Sequence, residues 1–455
     1  MHPASSVRRV VVAVALAYCS LNTMDSAVGL LPGPELVRTV VGWPLEQIEA
    51  GIEVLVRWFG QHVLGFTQLT PKPTGSGDTE LAYARAATHA VLALVLAMPL
   101  LLLPLATRRW RSDLQDVFEG LLSLVLRYHL AMTMLGYGFH KVLPLQFGRM
   151  EGSQLLATWG NSSPMNVLWA FMATSPAYTV FSGAMEVLGG SLLLWRRTSA
   201  AGALVTFAVM ANVALLNYCY GVPVKLFSTH LAAMAAILLV LDARRLAAVL
   251  VGTGAAPAAA PRWPQPVRGR VWWGLAKLIV VGNLYWSAFA GNWDAWQKTN
   301  DPAKQSPLQA IWVVESYTHG DSDQPTAWRT LVVERSNYAT VYQADGATRI
   351  GNFQVDQDAH TVVWAPLTRQ GEKSVAPTTL RYEQREAGTQ PPPTPQPEDR
   401  MLAERPPFAA RRLVLDGELD GRALHIELRE RDPDSFLVRG RGFRWIQEYP
   451  LNWRR

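Results

Sequence analysis

Long apolar runs fill the first two thirds of the chain and give way to short alternating segments after residue 291. A helix crossing the hydrocarbon layer of a bilayer needs about 20 mostly apolar residues. Seven stretches answer that description: 10–31, 83–106, 114–137, 175–195, 199–218, 225–241 and 271–290. Arg8 and Arg9 precede Val10–Ala17 as in a signal peptide, but no small-x-small cleavage pattern follows, which favours a retained span. Between the first two runs, 35–66 mixes Leu45, Ile48, Ile52, Leu55 and Trp58 with charged positions. That is the pattern of an amphipathic helix lying on the membrane surface or against other helices. The Ala-, Pro- and Gly-rich stretch 252–267 reads as a linker.

Beyond residue 291 the period falls to two. Strands are expected at Ile311–Tyr317, Trp328–Arg335, Ala339–Ala344, Thr348–Asp356, Thr361–Pro366, Thr378–Glu386, Arg411–Leu419, Arg422–Arg431 and Phe436–Gly440. Turn residues separate them at Asp345-Gly346, Asp358–His360, Asp416-Gly417 and Asp420-Gly421, and Pro391–Pro397 is a loop. Such spacing predicts an antiparallel barrel or a curled sheet. The expected fold is therefore an α-helical polytopic membrane bundle of seven spans with a C-terminal antiparallel β-rich extracytoplasmic domain. Its parts are the N-terminal spans (1–112), a helical core (113–241), a linker (242–270), a final span (271–290) and the β domain (291–455).

Charge sharpens this picture. Only 17% of residues are charged and 49% are hydrophobic. The net charge of +6 gathers in short clusters: Arg8-Arg9, Arg108-Arg109 with Arg111, Arg196-Arg197, Arg244-Arg245, and Arg268 with Arg270. With seven spans, all of these fall on one side. Basic loops are cytoplasmic, so the expectation is an inner-membrane protein with its N-terminus inside and its C-terminal domain outside. No basic face interleaves with aromatics, which excludes nucleic acid as a partner and leaves the lipid bilayer. The two cysteines, Cys19 and Cys219, both lie in or beside apolar segments, so the β domain holds no disulfide.

Ionisable residues inside apolar segments are costly and point to function. The third run holds Arg127, Tyr128, His129, Tyr137, His140 and Lys141, and the fourth holds Glu186 followed by Gly189-Gly190. Asn212, Asn217 and His230 follow on the next two. The expected arrangement is an outward-opening polar pocket with Arg127 as partner of Glu186, and Lys141 at the outer end reaching toward the interface. The plainer reading is a set of interhelical hydrogen bonds bracing the bundle. His89, His129 and His230 raise a haem, though no spacing demands one, and His319, His360 and His425 are not spaced as metal ligands. Walker A, His-Glu-x-x-His, Cys-x-x-Cys and Gly-x-Ser-x-Gly patterns are absent.

The stretch Arg127-Tyr-His-Leu-Ala-Met-Thr-Met-Leu-Gly-Tyr-Gly-Phe-His-Lys141, with Glu186-Val-Leu-Gly-Gly-Ser-Leu-Leu-Leu-Trp-Arg-Arg-Thr198, resembles the DoxX-like membrane family over residues 113–241. The resemblance implies a four-helix unit whose polar residues are Arg127, Lys141 and Glu186. It also implies a redox-associated, quinone-linked role, since some relatives serve quinone-linked oxidation of sulfur compounds and others redox homeostasis. A quinone or another lipid-soluble molecule is the ligand this suggests. This chain departs from the family by its additional apolar segments and its large β domain. The alternatives are transport or ligand binding, with the β domain capturing a ligand or a protein partner, and a scaffold without chemistry. Whether the chain is an enzyme stays open.

Overall fold

The computed structural model describes residues 3–29, 35–71, 75–101, 108–252, 270–320, 327–367, 376–390, 408–419 and 421–440. These form two compact units: Met1–Phe147 with Pro176–Ala295, and Gly148–Ser175 with Trp296–Arg455.

The first unit is helical: α1 (Pro3–Gly29), α2 (Glu35–His62), α3 (Glu80–Leu101) and α4 (Arg108–Val142). Two short helices, α5 (Gly152–Leu156) and α6 (Pro164–Thr174), belong to the second unit, and the first resumes with α7 (Pro176–Leu193), α8 (Ser199–Cys219), α9 (Lys225–Leu241), α10 (Ala243–Leu250) and most of α11 (Arg270–Asn300). Leu122, Leu126, Leu130 and Met134 recur every four residues on α4, so they share one face, and all are buried. They form one core with Leu193, Met210, Leu231, Met234 and Leu284.

The seven-span bundle is not what the chain builds. Among the described residues, two helical segments are long and apolar enough to cross a membrane: Glu80–Pro99 of α3 and Ser199–Cys219, with mean hydropathy 1.6 and 1.9. Val10–Met24 and Lys225–Leu241 are apolar but shorter. The other expected spans are diluted by what they carry. α4 holds Asp116, Glu119, Arg127 and His129; α7 holds Glu186 among glycines and serines; α11 holds Lys277, Asn283 and several tryptophans. With the multi-pass bundle goes the assignment of its loops to alternating sides. Of the two long windows only 33% and 28% is buried within the structure, so each leaves most of an apolar surface uncovered. Apolar area of that extent is stable against lipid and unfavourable in water, which marks the chain as membrane-associated.

One tertiary cap ties α3 to α9. Asp78 accepts hydrogen bonds from the backbone N–H groups of Lys225 and Leu226 (both 3.0 Å) and from the Lys225 ammonium (3.2 Å). Burial alone would raise this carboxyl, but the two N–H donors and the ammonium outweigh it and hold it below the usual carboxylate range. The start of α3 is capped by Thr79, whose hydroxyl accepts from Ala82 N–H.

The second unit is a closed antiparallel barrel of β1 (Ala310–His319), β2 (Trp328–Val333), β3 (Tyr338–Gln343), β4 (Thr348–Asp356), β5 (Thr361–Pro366), β6 (Thr378–Gln390), β7 (Phe408–Leu419) and β8 (Arg422–Arg431). Each strand pairs with the next, and β8 returns to β1 with Ile311 opposite Arg431 and His319 opposite Leu424. Alternate residues point inward: Leu413 and Leu415 on β7, and Leu424, Ile426 and Leu428 on β8. With Trp312, Phe353 and Trp364 they fill the interior, which eight strands leave just wide enough for side chains. Arg411 makes a two-pronged pair with Glu430 (2.7 and 2.8 Å), donates to the carbonyls of Pro307 and Gln309, and lies over the Trp312 ring.

Two sequence expectations change here. Gly417 is not a turn residue. It lies inside β7, where a Cβ would stand 2.7 Å from the Leu380 side chain, so the glycine admits a close strand contact. Phe436–Gly440 is not a strand: after a 3₁₀ turn at Pro433–Ser435 the chain forms the short helix α12 (Leu437–Gly440). Pro391–Pro397 lies outside the described residues.

Residues Gly148–Ser175, inside the stretch read as one helical core, cluster with the barrel. A Cβ on Gly152 would stand 2.6 Å from Val332 and 2.8 Å from Ile311, so only glycine allows this approach. Ser153 N–H donates to Glu334 (3.0 Å), Tyr342 donates to the Ser153 carbonyl (3.3 Å), and the Glu151 carboxyl hydrogen-bonds to that of Glu334. Burial, then the hydrogen bond and the like charge of Glu334, push Glu151 up to about 8 against the opposing pull of Arg335.

Candidate functional site

The C-terminal end of α4 presents a different residue to each helix around it. Gly138 faces α7, where an added Cβ would stand 2.9 Å from the Gly183 carbonyl oxygen and 2.9 Å from the Val187 nitrogen. A Cβ on Gly183 would in turn meet the Gly138 oxygen at 2.6 Å. Gly190, two turns on, meets Ala131 and Met134 of α4. The contacts run backward along α4 as they run forward along α7, so the two helices are antiparallel and close. Gly189 and Gly202 perform the same service between α7 and α8. Small residues at a helix crossing let backbones approach and place polar side chains beside them in direct contact.

Beside the Gly138–Gly183 crossing, Lys141 donates to Glu186 Oε1. Both residues are buried, at 6% and 2% exposure. An ammonium carries three donors and a carboxylate two acceptor oxygens. Glu186 Oε2 is buried and accepts no hydrogen bond among the described residues.

Arg127 was the expected partner of Glu186, and the structure places it elsewhere. Its Nε donates to the carbonyl of Leu193, the last residue of α7, at 2.7 Å. The guanidinium satisfies a carbonyl that the helix end leaves without an internal partner, and its charge complements the negative end of the helix dipole. The antiparallel register decides this. Glu186 lies beside the Gly138–Lys141 turn, whereas Arg127 lies 14 residues from Lys141, or about 21 Å along the axis. Lys141 does not reach for the interface; it is the buried cation of the pair.

His230 and Asn212 also stand apart. His230 donates from Nδ1 to the Leu226 carbonyl (2.7 Å), which leaves Nε2 to accept from the Tyr18 hydroxyl (2.5 Å), and the two rings stack. It joins α9 to α1, with both ring nitrogens engaged. Asn212 is exposed on α8, while Asn217 donates to Ser228 across to α9.

The sequence predicted a helix at 271–290 but not the residues that α11 brings to the site. Asn292 Nδ2 donates to the carbonyls of Ala288 and Gly136, and its Oδ1 accepts from His140 Nδ1 (2.8 Å). Tyr285, seven residues earlier and thus on the same face, donates to Ser191 of α7, while Phe289 meets Phe139 edge-on. The spacing of Tyr285, Phe289 and Asn292 was the available signal. It was obscured because the apolar run ends at residue 290. On the remaining side Tyr137 meets Phe227 of α9. The ion pair is thus walled by α4 and α7 and braced by α9 and α11.

A stretch of 119 residues, 26% of this chain, is 36% identical to the uncharacterized protein YwoB of Bacillus subtilis (strain 168) and covers 75% of it. The chain belongs to the family of YwoB. No protein-family model matches the chain, and no solved structure matches it. YwoB is itself uncharacterized, so the chemistry of the Lys141–Glu186 site rests on its geometry.

Proposed function

We propose that the chain is a membrane-associated, redox-linked protein of DoxX-like type in which the Lys141–Glu186 pair holds the polar head of a quinone or a similar lipid-soluble molecule. One observation carries the reading: Glu186 Oε2 is buried without a hydrogen-bond partner among the described residues, next to an ammonium with donors to spare. A quinone carbonyl accepts from Lys141, and a quinol hydroxyl donates to Glu186 Oε2. The same two residues therefore serve both oxidation states. The resemblance around Arg127, Lys141 and Glu186 supports a quinone as the molecule. The proposal is one of binding, and the source of electrons lies outside it.

Mass spectrometry of lipids extracted from gently purified wild type, Glu186→Gln and Lys141→Met tests it. The expected result is a quinone in wild type and its loss from folded variants. An empty wild type, or variants loaded equally, ends the proposal. A second reading, a structural brace, is favoured by the glycine crossing at the pair, and it predicts variants that lose stability with no ligand to lose.

The finer placement is also proposed. Basic residues follow α3 (Arg108, Arg109, Arg111) and precede α8 (Arg196, Arg197), which puts those helix ends on the cytoplasmic side of the inner membrane. The opposite ends meet through Asp78 and Lys225, as this orientation requires. With α8 as the second and last crossing helix of this reading, the chain beyond Cys219 stays on the outer side, which supports a barrel on the extracytoplasmic side. Its filled interior leaves the outer face as the surface for a protein partner. Labelling of a cysteine placed on the barrel by a membrane-impermeant maleimide in intact spheroplasts tests the placement, and protection until lysis refutes it.

A further inference from the structure

α2 divides into three longitudinal faces. Ile52, Val56 and Gly60 lie against the first turns of α3, where Val56, Leu81 and Ala84 are buried together and a Cβ on Gly60 would stand 3.0 Å from Ala84. Glu53 belongs to a polar edge, paired with Arg57 (3.4 Å) and with Arg85 of α3 (2.8 Å), and Glu46 extends that edge. The rest is mostly apolar and bare: Val40, Trp43, Ile48, Val54, Leu55 and Trp58 are 47–67% exposed. At 100° per residue these six span an arc of about 140°, which also holds Gln47 and lies between the α3 contact on one side and the charges on the other.

We propose that this arc of α2 is embedded in the lipid interface at the N-terminal end of α3. Two features choose lipid over another protein. The arc sits beside α3, which α2 contacts at its N-terminal end and whose Val91, Leu94, Val95 and Leu96 are exposed two to four turns further along. Trp43 and Trp58 lie toward its two ends, and tryptophan is the side chain that favours the headgroup level, with an apolar ring and one donor. The polar edge of Glu46, Glu53 and Arg57 then faces water, as in helices that lie in the membrane plane. The proposal rests on the membrane association of α3 and adds where the aqueous boundary crosses the molecule.

Nitroxide labels report the test. In a Cys219→Ser background, where Cys19 is shielded in the core at 2% exposure, V54C, E46C and L94C are labelled one at a time in the full chain. The protein is reconstituted in phosphatidylcholine vesicles, and accessibility to oxygen and to a water-soluble nickel chelate is measured. The expected result is a several-fold higher oxygen-to-nickel ratio at 54 and 94 than at 46. A lipid signal at 94 with a water signal at 54 overturns the α2 proposal alone. Water at both removes the membrane reading of α3 and this proposal with it. Low accessibility to both probes at 54 shows a protein covering the arc and overturns the lipid assignment.

Discussion

Arg127 donates to the carbonyl of Leu193 at 2.7 Å, at the end of α7 and away from the carboxylate of Glu186. Replacing it with methionine keeps the apolar stem and strands the helix-end carbonyl. The expected cost is about 1–3 kcal/mol, the range for a buried acceptor left without its partner. Thermal unfolding in detergent reads it, and bound lipid is expected to stay unchanged if the guanidinium serves only α7.

The Lys141–Glu186 pair behaves differently under single and double substitution. Removing either charge alone strands the other in a buried site, at about 3–5 kcal/mol. Lys141→Met with Glu186→Gln removes both charges and is expected to recover much of the loss. A double-mutant cycle measures the coupling, and strictly additive effects would show that the two residues do not act as a pair.

Where a glycine sits relative to the α4–α7 crossing decides the sign of a Gly→Ala change. Gly183→Ala places a methyl 2.6 Å from the Gly138 oxygen and forces α4 and α7 apart, so destabilisation is expected at about 1–3 kcal/mol. Gly136→Ala meets nothing within 4 Å and is expected to gain up to about 1 kcal/mol from helix propensity. Unfolding midpoints of the two variants settle the contrast; equal effects would contradict the close crossing.

Around the barrel, the Glu151–Glu334 contact predicts a pH dependence of its own. Glu151 is held at about 8 in the folded chain and titrates near about 4.3 when unfolded, so the folded state holds its proton more tightly. The stabilisation is complete below the unfolded value and is lost as pH rises through about 8. Glu334, Arg335 and Tyr342 are the titratable groups around it. Hydrogen exchange of 149–156, corrected for intrinsic rates, is expected to quicken between pH 6 and 9 in wild type. In Glu151→Gln it is expected to stay flat, and a flat wild-type profile would be the contrary result.

Asp78 gives the opposite sign. Its carboxyl is held below the ordinary value in the folded state, so its contribution is present at neutral pH and is lost as pH falls through that lowered value. Asp78→Ala removes the cap on α9 and is expected to cost about 0.5–2 kcal/mol at pH 7. Acid should narrow the gap between variant and wild type, as chemical denaturation at two pH values would show.

The barrel strands were legible because alternation is local: Leu413, Leu415, Leu424, Ile426 and Leu428 announce an inward face within a few residues of one another. Arg127, Lys141 and Glu186 were also legible as unusual residues in apolar surroundings. Which of them meet was not. Hydropathy overcounted the spans for a related reason: an apolar run can be satisfied by neighbouring helices as readily as by lipid, and α4 buries Leu122, Leu126 and Leu130 against its neighbours.

By itself the sequence determined the helical and alternating regions, the turn at Gly346 and the identities of the polar residues, all set by the chain's own period and by side-chain chemistry. Tertiary structure alone decided that Lys141 rather than Arg127 faces Glu186, because the Gly138–Gly183 approach fixes the antiparallel register of α4 and α7. It also decided that β8 closes on β1 and that Gly148–Ser175 joins the barrel. These are contacts between residues far apart in the chain. They form only where many weak packing terms agree at once, and no local stretch of sequence carries that sum.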